Sequence, residues 1–139
     1  MIVFSVLNLI IFMLIALLHI YWALGGTWGI MQAIPQQNPG EPAFKPGPIA
    51  TLLVAIGLLG FAFVHVLALG IGPLIAPKLV KIALAIIAGI FLLRAIGDYK
   101  YVGLFKKVKT GSFAKNDSKY YTPLCLLIVL NALITYSMV

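Results

Sequence analysis

The sequence predicts an all-α integral membrane four-helix bundle, and three observations carry that prediction. Hydrophobic residues make up 63% of the 139 residues, while Asp, Glu, Lys and Arg together make up 9%. No formally charged side chain precedes Glu41. The apolar residues also gather into four stretches with short polar breaks between them. A run of roughly 20 apolar residues at about 1.5 Å rise crosses about 30 Å of hydrocarbon. Four strands cannot close a barrel, so helices are the spanning form that satisfies the backbone.

Taken in order, the expected spans are Ile2–Leu24, Ile49–Leu69, Lys78–Ile96 and Pro123–Val139. They form one transmembrane domain over residues 1–139, with no length left for a second. Span 1 lacks a basic leader, and its apolar core exceeds the roughly 15 residues of a cleaved signal, so it reads as a span. Pro46 and Pro48 precede span 2, and Gly70, Gly72 and Pro73 end it. The short turn that follows predicts spans 2 and 3 as antiparallel neighbours. Gly97 reads as the C-terminal cap of span 3. Thr122 and Pro123 read as the N-cap and first residue of span 4. Gly25/Gly29, Gly57/Gly60 and Ala85/Gly89 are the candidate small-residue contacts between helices. Cys125, the single cysteine, rules out an intramolecular disulfide and a multi-thiolate metal site, and reads as a small buried hydrophobe.

The net charge of +7 follows membrane topology rather than a nucleic-acid surface. Eight of the ten Lys and Arg residues fall at one end of the expected bundle: Lys45, Arg94, Lys100, Lys106, Lys107, Lys109, Lys115 and Lys119. Lys78 and Lys81 fall at the other end. The basic loops 25–48 and 97–122 are therefore expected in the cytoplasm, with both termini outside. The six lysines of the second loop read as a topology signal that also meets anionic headgroups.

Polar residues within the spans cost free energy unless they find partners. His19 lies about 7 Å below the basic end and His65 about 24 Å, so roughly 17 Å separates them along the membrane normal. One metal ion or one haem iron cannot be ligated by both, and neither a metal site nor a cofactor is expected. His19 shares a helical face with Trp22. Its plainer role is bonding to a backbone carbonyl within an aromatic belt; its functional role would be a titratable group in a pocket wall. Arg94 and Asp98 are four apart, and Asp98 is expected to pair with Arg94, either as a brace for the loop or as part of a polar pocket. Asn8, His65 and Asn131 are expected to form hydrogen bonds between helices.

Four segments occur together: HIYWALGGTWG at 19–29, RAIGDYKYVG at 94–103, FAKND at 113–117 and YTPLC at 121–125. In that combination the chain resembles a family of small four-helix bacterial membrane proteins classed as a domain of unknown function. The resemblance covers nearly the whole chain. It implies the four-helix fold and a bacterial inner-membrane setting, but no activity. It also implies that His19, Trp22, Gly25, Gly26, Trp28, Arg94, Gly97, Asp98, Phe113 and Asp117 form one unit at the basic end.

The sequence contains no P-loop, dinucleotide fingerprint, nucleophile elbow or metal-ligand cluster. The favoured expectation is a small membrane protein that binds a lipid-like or other apolar molecule through His19, Trp22, Trp28, Arg94, Asp98 and Asp117. One alternative is an enzyme on a lipid-like or quinone-like substrate, with His19 as acid or base and Asp98 orienting it or sharing protons. Another is a transporter or accessory subunit, which with four spans calls for a homo-oligomer or a partner.

Overall fold

The computed structural model describes all 139 residues. The four apolar runs form α1 (Ile2–Ala23), α3 (Pro48–Ala68), α4 (Pro77–Ile96) and α6 (Thr122–Met138). These bounds lie within one residue of the predicted spans at each end, and the protein is a multi-pass integral membrane protein. The connections at the basic end have structure of their own. A short helix α2 (Ile30–Ala33) and a small antiparallel hairpin, β1 (Gln36–Asn38) with β2 (Glu41–Pro42), fill the first. Helix α5 (Ser112–Asn116) occupies the end of the second.

The core forms where all four long helices meet. Phe12 and Ala16 of α1, Leu58 and Ala62 of α3, Ile87 and Ala88 of α4, and Ile128, Val129 and Ala132 of α6 pack as one buried cluster. Phe12 is fully buried, with ring centroids 5.7 Å from Phe61 and 5.4 Å from Phe91. Side chains pointing away from this centre are exposed and apolar, as a bilayer requires. Helices α1 and α3 pack closely, as do α4 and α6, whereas α3 and α4 are neighbours with much sparser contact.

Small residues admit this close approach, but not the ones expected. Gly57, Gly60, Ala85 and Gly89 face outward, and Gly25 and Gly29 lie in a turn beyond α1 with positive φ. Buried alanines take the inward positions instead: Ala16, Ala55, Ala62, Ala88, Ala95 and Ala132. Spacing alone finds small residues; it does not say which side of the helix meets a neighbour.

The start of span 4 also differs from expectation. Thr122 is not an N-cap: Asp117–Tyr121 form a π-helical turn that joins α5 to α6, so helical backbone runs from Ser112 to Met138. The Thr122 N–H bonds to the Asp117 carbonyl five residues back. Pro123 has no N–H to donate and crowds the preceding turn. A wider turn just before it accommodates both defects without ending the helix.

A polar network occupies the half of the bundle away from the basic end. Ser5, Asn8, His65, Asn131 and Thr135 are all buried. Asn131 Nδ2 donates to the Asn8 side-chain Oδ1 at 3.0 Å, and Asn8 Nδ2 donates to the Ile128 backbone carbonyl at 3.0 Å. His65 meets Ser5 Oγ through Nδ1 at 3.1 Å and Asn8 Nδ2 through Nε2 at 3.4 Å. Since an amide N–H donates, Nε2 accepts and Nδ1 carries the proton, while the Ser5 hydroxyl donates to the His65 carbonyl at 3.0 Å. The expected interhelical bonds of Asn8, His65 and Asn131 are therefore present, and they link α1, α3 and α6.

Candidate functional site

The basic end is built around Asp117. Its position at the first residue of the π turn directs a fully buried carboxylate toward the end of α4. Oδ1 accepts a hydrogen bond from Arg94 Nη2 at 2.9 Å. Oδ2 accepts from the Gly103 N–H at 2.8 Å and from Lys106 Nζ at 3.1 Å. Lys106 is itself buried and also reaches the Gly103 carbonyl and Ser118 Oγ. One buried carboxylate thus anchors two cations and the backbone of the second loop. A pair of this kind is held by geometry rather than by net Coulomb gain, because both partners leave water.

Asp98 has a different role from the one expected. It does not pair with Arg94; Oδ1 accepts N–H groups from Lys100, Tyr101 and Val102 at 3.0, 2.8 and 3.1 Å. Helix α4 ends at Ile96, and Gly97 turns the chain at φ +84°, so the four-residue spacing from Arg94 no longer places both side chains on one helical face. Burial opposes ionisation of Asp98, but the three backbone donors outweigh it and hold its carboxyl below the usual carboxylate range. The same turn brings Gly97 and Gly103 together so closely that a Cβ on either would collide with backbone of the opposite strand of the loop. Glycine at both positions lets the Gly103 N–H reach Asp117.

His19 sits near the end of α1. Its Nδ1 donates to the Ile15 carbonyl at 2.8 Å, so in the neutral ring the proton is on Nδ1 and Nε2 carries the lone pair. The ring meets Trp22 edge-on at 5.1 Å. Trp22 Nε1 donates to the Trp28 carbonyl at 2.7 Å, which ties the following turn back to the helix. The Trp28 side chain is exposed. His65 contacts Ser5 and Asn8, and Asn8 is eleven residues (19 − 8) from His19 on α1, roughly 16 Å along the axis.

Two cavities open at this end. The larger, of about 730 Å³, lies between the end of α1 and the start of α3 under α2 and the hairpin. His19, Trp22, Gly25, Met31, Thr51 and Val54 are among its walls. The smaller, of about 380 Å³, is lined by Arg94, Asp98, Tyr101, Val102 and Phe113 together with residues of the first loop. Ala33 and Phe44 belong to both walls. The ten motif positions thus do not form one cluster. His19, Trp22 and Gly25 border the apolar chamber, while Arg94, Asp98 and Phe113 border the polar one, and Asp117 lies behind Arg94.

Several residues of this region carry no sequence signal. Gln36 is buried, bonds the Met31 carbonyl at 3.0 Å and reaches Ser112 Oγ at 3.4 Å, tying the first loop to α5. Tyr121 donates to the Gln32 carbonyl at 2.9 Å, a second tie between loop and helix. Lys106 differs from the five lysines around it only in the fold. Phe44, an exposed aromatic among Pro42, Pro46 and Pro48, is the one whose surroundings hint at a wall.

Residues 12–132 match the family described as "Protein of unknown function (DUF3995)". The chain belongs to this family. No curated protein and no solved structure matches it. The match covers both chambers, the whole of α3 and α4 and part of α1 and α6, and the family's description assigns no activity.

Proposed function

We propose that this protein binds a lipid-like amphiphile at its basic end. The observation that carries this reading is the pair of adjoining chambers that share Ala33 and Phe44, one mostly apolar, bounded by two membrane spans and with Lys45 as its one charged wall residue, the other bearing both Arg94 and Asp98. Both volumes fall within the range of about 300–1,000 Å³ typical of small-molecule sites. An apolar tail entering between the ends of α1 and α3 passes from bilayer to chamber without crossing water, and its polar end meets Arg94 and Asp98.

Native mass spectrometry of protein extracted in mild detergent tests this. The wild type is expected to carry a discrete stoichiometric adduct. Ala33→Phe, which places a ring in the shared wall, and Trp22→Ala are expected to lose it. Retention of the same adduct at the same occupancy by both variants would sink the reading.

The charge distribution supports a sidedness as well. With eight of ten Lys and Arg residues at the chamber end, that end faces the cytoplasm of a bacterial inner membrane. Ser137→Cys should then react with an impermeant maleimide in intact cells, and Lys115→Cys should not. Equal labelling of both would reject the assignment.

A catalytic reading rests on one observation, the His19 Nε2 lone pair in the wall of the larger chamber. It requires His19→Ala to alter the cellular lipid or quinone pools; unchanged pools leave binding as the function.

A further inference from the structure

The smaller chamber presents both signs of charge on one wall. Arg94 and Asp98 line it, yet they do not pair with each other. Behind the wall, Arg94 and Lys106 share the single carboxylate of Asp117, which leaves one positive charge in excess. Arg94 makes one hydrogen bond through Nη2, and its Nη1 is buried with no partner, although 32% of the side chain is exposed. Asp98 forms no ion pair despite the surrounding lysines. Its Oδ1 is filled by three backbone N–H groups, and the residue is exposed, so Oδ2 is open to solvent and to any ligand in the chamber.

An arginine with one unpartnered nitrogen and a carboxylate with one accessible oxygen and no counter-charge are complementary to a ligand that carries the opposite charges in one headgroup. The aromatic residues strengthen the cationic half of that match. Phe44, Tyr101 and Phe113 line the same chamber, and aromatic faces attract ammonium groups. Lys100 already lies over the Tyr101 ring, with Nζ 4.9 Å from its centroid. A purely anionic headgroup would bring a second negative charge toward Asp98, and an uncharged one would offer Arg94 only the weaker, uncharged acceptors.

We infer that the smaller chamber holds the headgroup of a zwitterionic aminophospholipid, its phosphate oxygen toward Arg94 and its ammonium toward Asp98 and the aromatic wall. This assignment rests on the amphiphile-binding reading above. The apolar chamber next to it selects the lipid over a soluble aminophosphate of the same charge pattern.

The test is a native mass spectrometry titration of the full chain in detergent. The probes are phosphatidylethanolamine, phosphatidylglycerol and diacylglycerol with identical acyl chains, and soluble phosphoethanolamine. Phosphatidylethanolamine is expected to bind about tenfold more tightly than the other two lipids, a difference of about 1.4 kcal/mol. Asp98→Asn keeps the Oδ1 acceptor that shapes the loop and removes the charge; it should abolish the preference while retaining lipid binding. Phe44→Leu, at an exposed position, should weaken phosphatidylethanolamine severalfold more than phosphatidylglycerol.

Equal wild-type binding of phosphatidylethanolamine and phosphatidylglycerol would overturn the headgroup assignment, as would an unaltered preference in both variants. Phosphoethanolamine binding as tightly as the lipid would overturn the choice of a lipid. Binding of none of the three lipids would remove the amphiphile reading itself.

Discussion

Polar groups are buried at both ends of the bundle, in opposite ways. In the half away from the lysine-rich loops, Ser5, Asn8, His65 and Asn131 answer one another: His65 uses both ring nitrogens, and Asn8 bonds to α3 and α6 at once. Neither chamber includes any of these residues. At the basic end Arg94 Nη1 and Thr122 Oγ1 are buried without partners, the exposed Asp98 keeps one oxygen open, and two chambers open at that end. A closed network fixes how helices meet, whereas an incomplete one offers its unused groups to something else.

The largest effect that would break this comparison is at Asp117. Asp117→Ala leaves Lys106 buried without its counter-charge and removes the carboxylate that ties Arg94, Lys106 and the Gly103 N–H together, although Leu104 keeps its backbone bond to Ala95. A loss of about 3 kcal/mol is expected, toward the lower end for buried pairs because Arg94 is partly exposed. Thermal denaturation in detergent measures it, and a shift no larger than that of a surface lysine variant would contradict the geometry.

A smaller effect is expected in the closed network. His65→Ala removes the ring contacts to Ser5 and Asn8, which keep their bonds to the residue-65 carbonyl, Ile128 and Asn131, and should cost about 1 to 2 kcal/mol while leaving adduct occupancy untouched. Loss of the adduct in this variant would mean that the two ends are coupled rather than distinct.

The smallest effect is local and depends on pH. The Asp98 carboxyl lies below its ordinary range in the folded chain. The order it gives the loop is therefore fully present above the ordinary carboxylate value and lost as pH falls through the depressed one. The amide NMR signals of Lys100, Tyr101 and Val102 should titrate together at that lower pH, and Asp98→Asn should abolish the titration. Independent titration of the three amides would show that Asp98 does not hold them jointly.

The spans were legible because a bilayer reads composition: strongly apolar stretches of the right length with charges only near their ends admit few other structures, and the predicted bounds needed shifts of one residue. The network of Asn8, His65 and Asn131 was legible for the same reason, since a polar group at that depth must find a partner. Other features depend on backbone direction, which composition does not encode. Arg94 and Asp98 are spaced as a helical pair, but Gly97 ends the helix between them, and the partner of Arg94 lies 23 residues away. Thr122 and Pro123 have the residue types of a helix start, and only the π turn before them reveals a helix already under way. Lys106 looks like its neighbours until Gly97 and Gly103 fold the loop over it. The motif residues were assembled at the correct end, but the division into two chambers depends on Ala33 and Phe44 in a loop that no periodicity describes.

The uneven packing of the long helices has a mechanical consequence. Helices α1 and α3 form one tight leaf and α4 and α6 another, and the seam between α3 and α4 is thin. The polar link from Asn8 to Asn131 then acts as the spine along which the leaves are bound. The apolar chamber belongs to the first leaf, and Arg94 stands on the second. A molecule lying across both chambers is a clasp, and its arrival or departure should register as a change in the gap between leaves, readable by spin labels placed on α3 and α4.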